Sequence, residues 1–218
     1  MPVKTVTVIG ATGLIGGHLV RLLQAESSIE TIRIPVRRPV SISGPKLAIN
    51  LIDFADPESF KLAIDGSDAV FCAVGTTQKK VKGDKEAYRK VDYDIPVHAA
   101  RFCAETGCQH FLLVSSVGAN SSSSNFYLKL KGEVEEAVQQ QPIQQIVLLR
   151  PSILLGNRAE NRPGERIGQL AMQAFSFLLV SGLKKYKPAE AKEVAAAMVR
   201  IAQSDKRGKF ILEYPFVL

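Results

Sequence analysis

Thr5-Val6-Thr7-Val8-Ile9-Gly10-Ala11-Thr12-Gly13-Leu14-Ile15-Gly16-Gly17-His18 stands near the start of the chain, and its reading decides the fold. Val6, Val8 and Ile9 are apolar and β-branched, as a parallel strand buried on both faces requires. Gly10, Gly13 and Gly16 follow in the spacing G-x-x-G-x-x-G. The first glycine permits a sharp turn, the second lets a pyrophosphate approach the backbone, and the third lets helix and strand pack closely. The helix expected from Gly13 to Gln24 points its unpaired N–H groups and positive dipole end at that pyrophosphate. Thr12, Leu14 and Ile15 lie in the same turn. The alternative is a tight strand–helix connection with no ligand, but the strand before it and the helix after it favour a dinucleotide site.

Downstream, strands alternate with helices. Strands are expected at Thr31–Val36, Leu47–Ile52, Ala69–Val74, His110–Ser115 and Ile143–Leu149, with a last one from Gly208 to Tyr214. Helices are expected at Asp56–Ile64, Lys85–Thr106, Phe126–Gln140, Ile167–Leu183 and Pro188–Gln203. Asp56 reads as an N-cap with Pro57 in the first turn, and Pro96 inside the long third helix predicts a break or kink. This alternation implies an α/β doubly wound parallel sheet with helices on both faces. With 218 residues, 46% of them hydrophobic, the expectation is a single domain over 1–218, with 156–218 serving as a lid or an interface.

The strand ends carry the cofactor readout. Arg37 and Arg38 close the second strand where an acid would bind the ribose hydroxyls of NAD, so they point to the 2′-phosphate of NADP(H). Read otherwise, they are two solvated loop cations. Asp53 ends the third strand, either beside the adenine or as a cap for the next helix. Val74 and Gly75 end the fourth, where a glycine lets backbone lie along a cofactor. Gln78–Asp84 reads as a loop at the pocket rim.

Tyr127 and Lys131 form Y-x-x-x-K on the helix after the fifth strand, which puts both on one helix face. An ammonium there favours the phenolate, so the phenol is suited to proton exchange. Ser115 and Ser116 at the preceding strand end are both available to bond a substrate oxygen, and the strand end favours Ser116. An exposed tyrosine and lysine after a serine-rich loop is the simpler alternative.

These motifs together resemble the short-chain dehydrogenase/reductase superfamily in its atypical branch. FCAVGTTQKK (71–80), SSNFYLKLKGEVE (123–135) and RPSILLGNRAENRPGER (150–166) look more specifically like the Tat-interacting protein family of oxidoreductase-like proteins. The likeness spans the chain to about Arg166 and fades in the C-terminal helices. It implies a Rossmann-type fold that binds NADPH. It also implies that Thr12, Gly13, Leu14 and Ile15 contact the pyrophosphate, that Arg37 and Arg38 hold the 2′-phosphate, and that Val74 and Gly75 line the adenosine side. By the same resemblance Tyr127 and Lys131 are the catalytic pair, and Leu154 and Arg162 touch the cofactor from the far side. It supplies no substrate.

Composition narrows the remaining classes. The net charge of +7 is dispersed, with no aromatic–basic stripe, so it fits cofactor steering or surface solvation better than nucleic-acid binding. The apolar run Ala171–Val180 is too short to span a bilayer, and the glycine loop stands where a signal peptide would. Cys72, Cys103 and Cys108, an odd number in apolar surroundings, point to a reduced cytoplasmic protein without disulfides. His18, His98 and His110 have no metal-ligand spacing, so no metal is expected. The leading expectation is an NADPH-dependent reductase of a small carbonyl compound, monomeric or homodimeric. A cofactor-sensing regulatory protein that binds a protein partner is the second. A nucleotide-sugar epimerase or dehydratase is the third, and the short C-terminal part argues against it.

Overall fold

The computed structural model describes residues 3–155 and 185–218. Seven strands form one sheet: β1 (Thr5–Ile9), β2 (Thr31–Val36), β3 (Leu47–Leu51), β4 (Ala69–Cys72), β5 (His110–Val114), β6 (Gln145–Arg150) and β9 (Gly208–Glu213). Their order is β3-β2-β1-β4-β5-β6-β9, and every neighbouring pair is parallel. Chain order therefore reverses between β1 and β4, which makes that crevice the place where a doubly wound sheet binds its ligand. A short parallel pair, β7 (Leu154–Leu155) with β8 (Ala189–Glu190), lies apart from the main sheet.

Side chains alternate across the strands and build two cores. Val6, Val8, Phe71, Leu112, Val147 and Leu149 face α1 (Leu14–Ala25) and α6 (Ala191–Ala202), meeting Leu19, Leu23, Val194 and Met198. Val70, Cys72, Phe111, Leu113, Ile146 and Leu148 face the other way. They pack on α2 (Pro57–Ile64), α4 (Ile95–Glu105) and α5 (Phe126–Gln139) through Phe60, Phe102, Val134 and Val138. This is the α/β arrangement with helices on both faces that the alternating pattern implied.

Local chemistry places the helices. Asp56 caps α2 by accepting from Glu58 N at 3.2 Å, with Pro57 in the first turn. The long third helix is in fact three pieces: α3 (Lys85–Arg89), a π-helical turn over Lys90–Asp94, and α4. Pro96 lacks an N–H and its ring crowds the carbonyl four residues earlier, that of Asp92; the widened turn absorbs both. Two expected strands differ from the structure by two residues at one end, while β3, β5 and β9 each stop one residue sooner than expected. β4 stops at Cys72 because the backbone beyond it leaves the ladder to pass the glycine turn. β6 starts at Gln145, whose amide bonds Lys206 O at 2.7 Å and whose Oε1 lies 3.0 Å from His110 Nδ1.

Candidate active site

All the strand ends singled out in the sequence lie on one edge of the sheet, because every strand runs the same way. At its centre, Gly10 turns with φ +86°, and a Cβ there would meet the Ala73 carbonyl at 2.7 Å. A Cβ on Gly16 would fall on the Gly10 carbonyl oxygen. Both positions therefore demand glycine: Gly10 sets the turn against Ala73 and Val74, and Gly16 packs the helix onto the turn itself. Gly13 is the N-cap of α1, and among the described residues no side chain caps that end and no acid lies in its first turn. The N–H groups and positive end of α1 are thus left for an anion, and a pyrophosphate fits this cradle. In the same turn Thr12 is exposed, Leu14 is half-buried and Ile15 is buried in the core.

Arg37 and Arg38 follow β2 and are both exposed. Asp53 follows β3, is exposed, and accepts from Ala55 N at 2.9 Å, so one of its oxygens serves the local turn. Val74 is half-buried and Gly75 exposed beside the glycine turn. Leu154 is half-buried in β7. Arg162 and the polar stretch around it lie outside the described residues.

Asn125 begins α5, its Oδ1 accepting from Tyr127 N at 3.0 Å and Leu128 N at 3.1 Å. Phe126 packs edge-on against the buried Tyr88 of α3, with ring centroids 5.7 Å apart. The first turn of α5 is thereby fixed with Tyr127 at the surface, 36% exposed. Lys131, one turn on, is buried. Its ammonium lies 5.8 Å from the Tyr127 ring centroid and 3.0 Å from Asp92 Oδ1. Asp92 is buried too, and its Oδ2 accepts from Thr76 N at 2.7 Å. Burial pulls the Lys131 ammonium toward neutrality, but the Asp92 carboxylate, aided by Tyr127, outweighs it and holds the lysine above its ordinary range. Cys72 lies nearby, and burial pushes its thiol up to about 12.

The two serines part company. Ser115 is buried and donates to Glu135, which also takes Arg150 Nε at 2.9 Å and Nη2 at 2.5 Å. Ser116 is half-buried and, among the described residues, donates only to the neighbouring Val117 carbonyl, at 3.3 Å. Ser115 is therefore spent on structure, and Ser116 keeps a hydroxyl that a ligand can reorient.

Sequence reasoning did not single out Asp92, Glu135 or Arg150. Their signals were present: Asp92 stands four residues before Pro96, and Glu135 continues the i, i+4 series from Tyr127 through Lys131.

A profile of the family described as NAD(P)H-binding matches residues 10–205. The chain belongs to that family. Its relatives include the protein FMP52, mitochondrial, of Candida albicans, 32% identical over 207 residues, covering 93% of this chain and 89% of that one. Another is the protein HTATIP2 of Rattus norvegicus, a Tat-interacting protein, 33% identical over 165 residues, covering 74% of this chain and 67% of that one. The expected likeness to the Tat-interacting proteins is thus borne out. Among solved structures, the Bordetella bronchiseptica enzyme WbmH in complex with NAD+ superposes with a TM-score of 0.73 at 16% identity, over 97% of this chain and 76% of that one. MoeE5 in complex with UDP-glucuronic acid and NAD gives 0.73 at 18%, over 96% and 75%. At such identities these two show the Rossmann-type fold.

The comparison corrects one expectation. FMP52 relatives from Candida albicans, Debaryomyces hansenii and Aspergillus niger are all named as mitochondrial proteins, so the cytoplasmic assignment does not stand. Its physical ground was the cysteines. Cys72, Cys103 and Cys108 are free and buried in the core, so they report packing and not compartment.

Proposed function

We propose that this family member is an NADPH-dependent reductase of a small carbonyl compound. The observation that carries the reading is Tyr127 at the surface with a buried, charged Lys131 one helical turn below it. Gly10, Thr12, Gly13, Leu14, Ile15 and Gly16 hold the pyrophosphate at the N-terminus of α1, with Arg37 and Arg38 on the 2′-phosphate and Val74 and Gly75 along the adenosine. Asp53 and Leu154 complete the walls. The bound cofactor supplies the hydride that adds to the carbonyl carbon. The Tyr127 hydroxyl gives its proton to the carbonyl oxygen, so the product is the alcohol and the tyrosine is left as phenolate. The Lys131 ammonium beside the ring stabilises that phenolate, and the Ser116 hydroxyl orients the oxygen.

Calorimetric titration with NADPH and NADH tests the cofactor half. Arg37→Ala/Arg38→Ala weakens NADPH by about 10- to 100-fold, the worth of charge-assisted bonds to a phosphate, and leaves NADH unchanged. Equal loss for both cofactors removes the 2′-phosphate assignment. Tyr127→Phe lowers carbonyl turnover by about 100-fold or more while NADPH affinity holds. Turnover retained in that variant removes Tyr127 as the proton donor.

A further inference from the structure

We propose that the carbonyl substrate of this site carries an anionic group, a carboxylate or a phosphate, which the lysines of the loop between β4 and α3 receive; this rests on the reading of Tyr127 and Lys131 as the reacting pair.

Both ends of that loop are fastened beside the pair. At its start, Thr76 N donates to Asp92 Oδ2 at 2.7 Å, and the other oxygen of Asp92 holds the Lys131 ammonium at 3.0 Å. At its end, the buried Tyr88 of α3 packs edge-on against Phe126, the residue before Tyr127. The Tyr88 hydroxyl also reaches Thr76 O at 3.5 Å, so the two ends meet. The chain between them is folded on itself. Val81 N donates to Thr77 O at 3.2 Å, Gly83 N to Gln78 O at 2.9 Å, and Asp84 N to Val81 O at 2.9 Å.

The loop is locally basic. Lys79, Lys80, Lys82 and Lys85 are all exposed, and the acids near them are engaged. Asp84 caps α3, accepting from Glu86 N at 2.8 Å and Ala87 N at 3.0 Å. Glu86 pairs with Lys90 at 3.1 Å, and Glu133 of α5 pairs with Arg89 at 2.7 Å. Among the described residues, Lys79, Lys82 and Lys85 have no acidic partner. Lys85 ties this charge to the site, because its ammonium lies 5.5 Å from the ring centroid of Phe126, next to Tyr127. Salt water screens exposed charges within about 10 Å, so the loop acts on a ligand held close to it. A compound bound with its carbonyl at Tyr127 lies beside the loop. Its anion is the same before and during hydride transfer, so the lysines lower KM and leave kcat nearly unaltered.

Two matched pairs of aldehydes test this. Succinic semialdehyde and its methyl ester differ by a carboxylate charge, and glyceraldehyde 3-phosphate and glyceraldehyde differ by a phosphate. Calorimetric titration into the protein saturated with NADP+ reads affinity without reduction, and NADPH oxidation reads turnover. The charged member of at least one pair binds about 10-fold or more tightly than its neutral partner. Which pair shows the preference tells a carboxylate from a phosphate. Added salt weakens it, and in Lys79→Ala/Lys82→Ala/Lys85→Ala it falls to about one. Equal affinity within both pairs overturns the inference, as does no binding of either charged aldehyde or a preference that survives in the triple variant. A triple variant that loses NADPH affinity by the same factor also overturns it, because the lysines then serve the cofactor. Anion binding that depends on the loop, in a protein that reduces neither pair, leaves the anion site standing and sinks the reaction. Tyr127-dependent reduction that treats charged and neutral aldehydes alike sinks the anion site alone.

Discussion

Two buried ion pairs sit one turn apart on the same face of α5, and they are built differently. Glu135 meets Arg150 through two bonds, 2.9 and 2.5 Å, and takes a third from Ser115. That cluster staples the ends of β5 and β6 to the helix, with its acceptors engaged. Lys131 meets Asp92 through one bond of 3.0 Å, and an ammonium has three hydrogens to give. Another neighbour is an aromatic ring at the surface. Among the described residues, then, the first pair is saturated with partners and the second is not. A second difference follows from the cations. Arg150 cannot shed its proton, and Glu135 drives it further upward, whereas an abandoned Lys131 can become neutral.

The largest effect expected from this contrast is at Glu135. Glu135→Gln leaves a guanidinium that is mostly out of water without its counter-charge, and costs about 3 kcal/mol in urea unfolding. Because arginine does not titrate, that cost is the same from pH 6 to 9. Replacing the whole cluster, as Ser115→Ala/Glu135→Leu/Arg150→Met, recovers all but about 1 kcal/mol, since a buried pair is worth little against well-packed apolar groups. A triple variant as unstable as the single one breaks the assignment of this cluster to structure.

The second prediction sharpens the comparison by sign. Asp92→Asn costs roughly 2 kcal/mol at pH 7, less than the loss at Glu135, because the stranded lysine can give up its charge. In that variant the folded-state lysine titrates below its unfolded value of about 10.4. The unfolded chain then binds more protons than the folded one, so stability rises as pH goes from 7 to 9. The unaltered protein has no such rise, since its folded lysine titrates above the ordinary value of 10.5. Urea midpoints that do not move with pH in Asp92→Asn remove the distinction between the two pairs.

The part of the site made of backbone was more legible in the sequence than the part made of side chains. Gly10 and Gly16 are required by contacts within one strand–turn–helix unit, so their spacing carries their role. Asp56 and Asn125 cap their helices from within two or three residues, and such local chemistry also reads out directly. Asp92 is different. Its importance comes from where a π turn, a loop and another helix meet, at sequence separations of 16 from Thr76 and 39 from Lys131. Pro96 announced a break, but the choice of a widened turn over a kink depends on packing between helices. The strand end favoured Ser116 over Ser115, but the partner that occupies the Ser115 hydroxyl, Glu135, stands 20 residues away and was not legible locally.

The smallest expected effect uses Cys72, which feels the charges of both Lys131 and Asp92. Its thiol is wholly buried, and burial raises it from an ordinary 9.0 to about 12, with the Lys131 ammonium working weakly in the opposite direction. Above pH 9 the unfolded chain releases this proton while the folded one keeps it. The folded state then binds more protons, so stability falls with rising pH, by roughly 1 kcal/mol per pH unit until about 12. Lys131, raised in the fold, adds a loss of the same sign above its ordinary 10.5. Cys103, raised by burial in the same way as Cys72, adds a loss of the same sign, so Cys72→Ala lessens the decline of the urea midpoint above pH 9 without abolishing it. A decline in Cys72→Ala as steep as that of the unaltered protein removes Cys72 as a source of that slope.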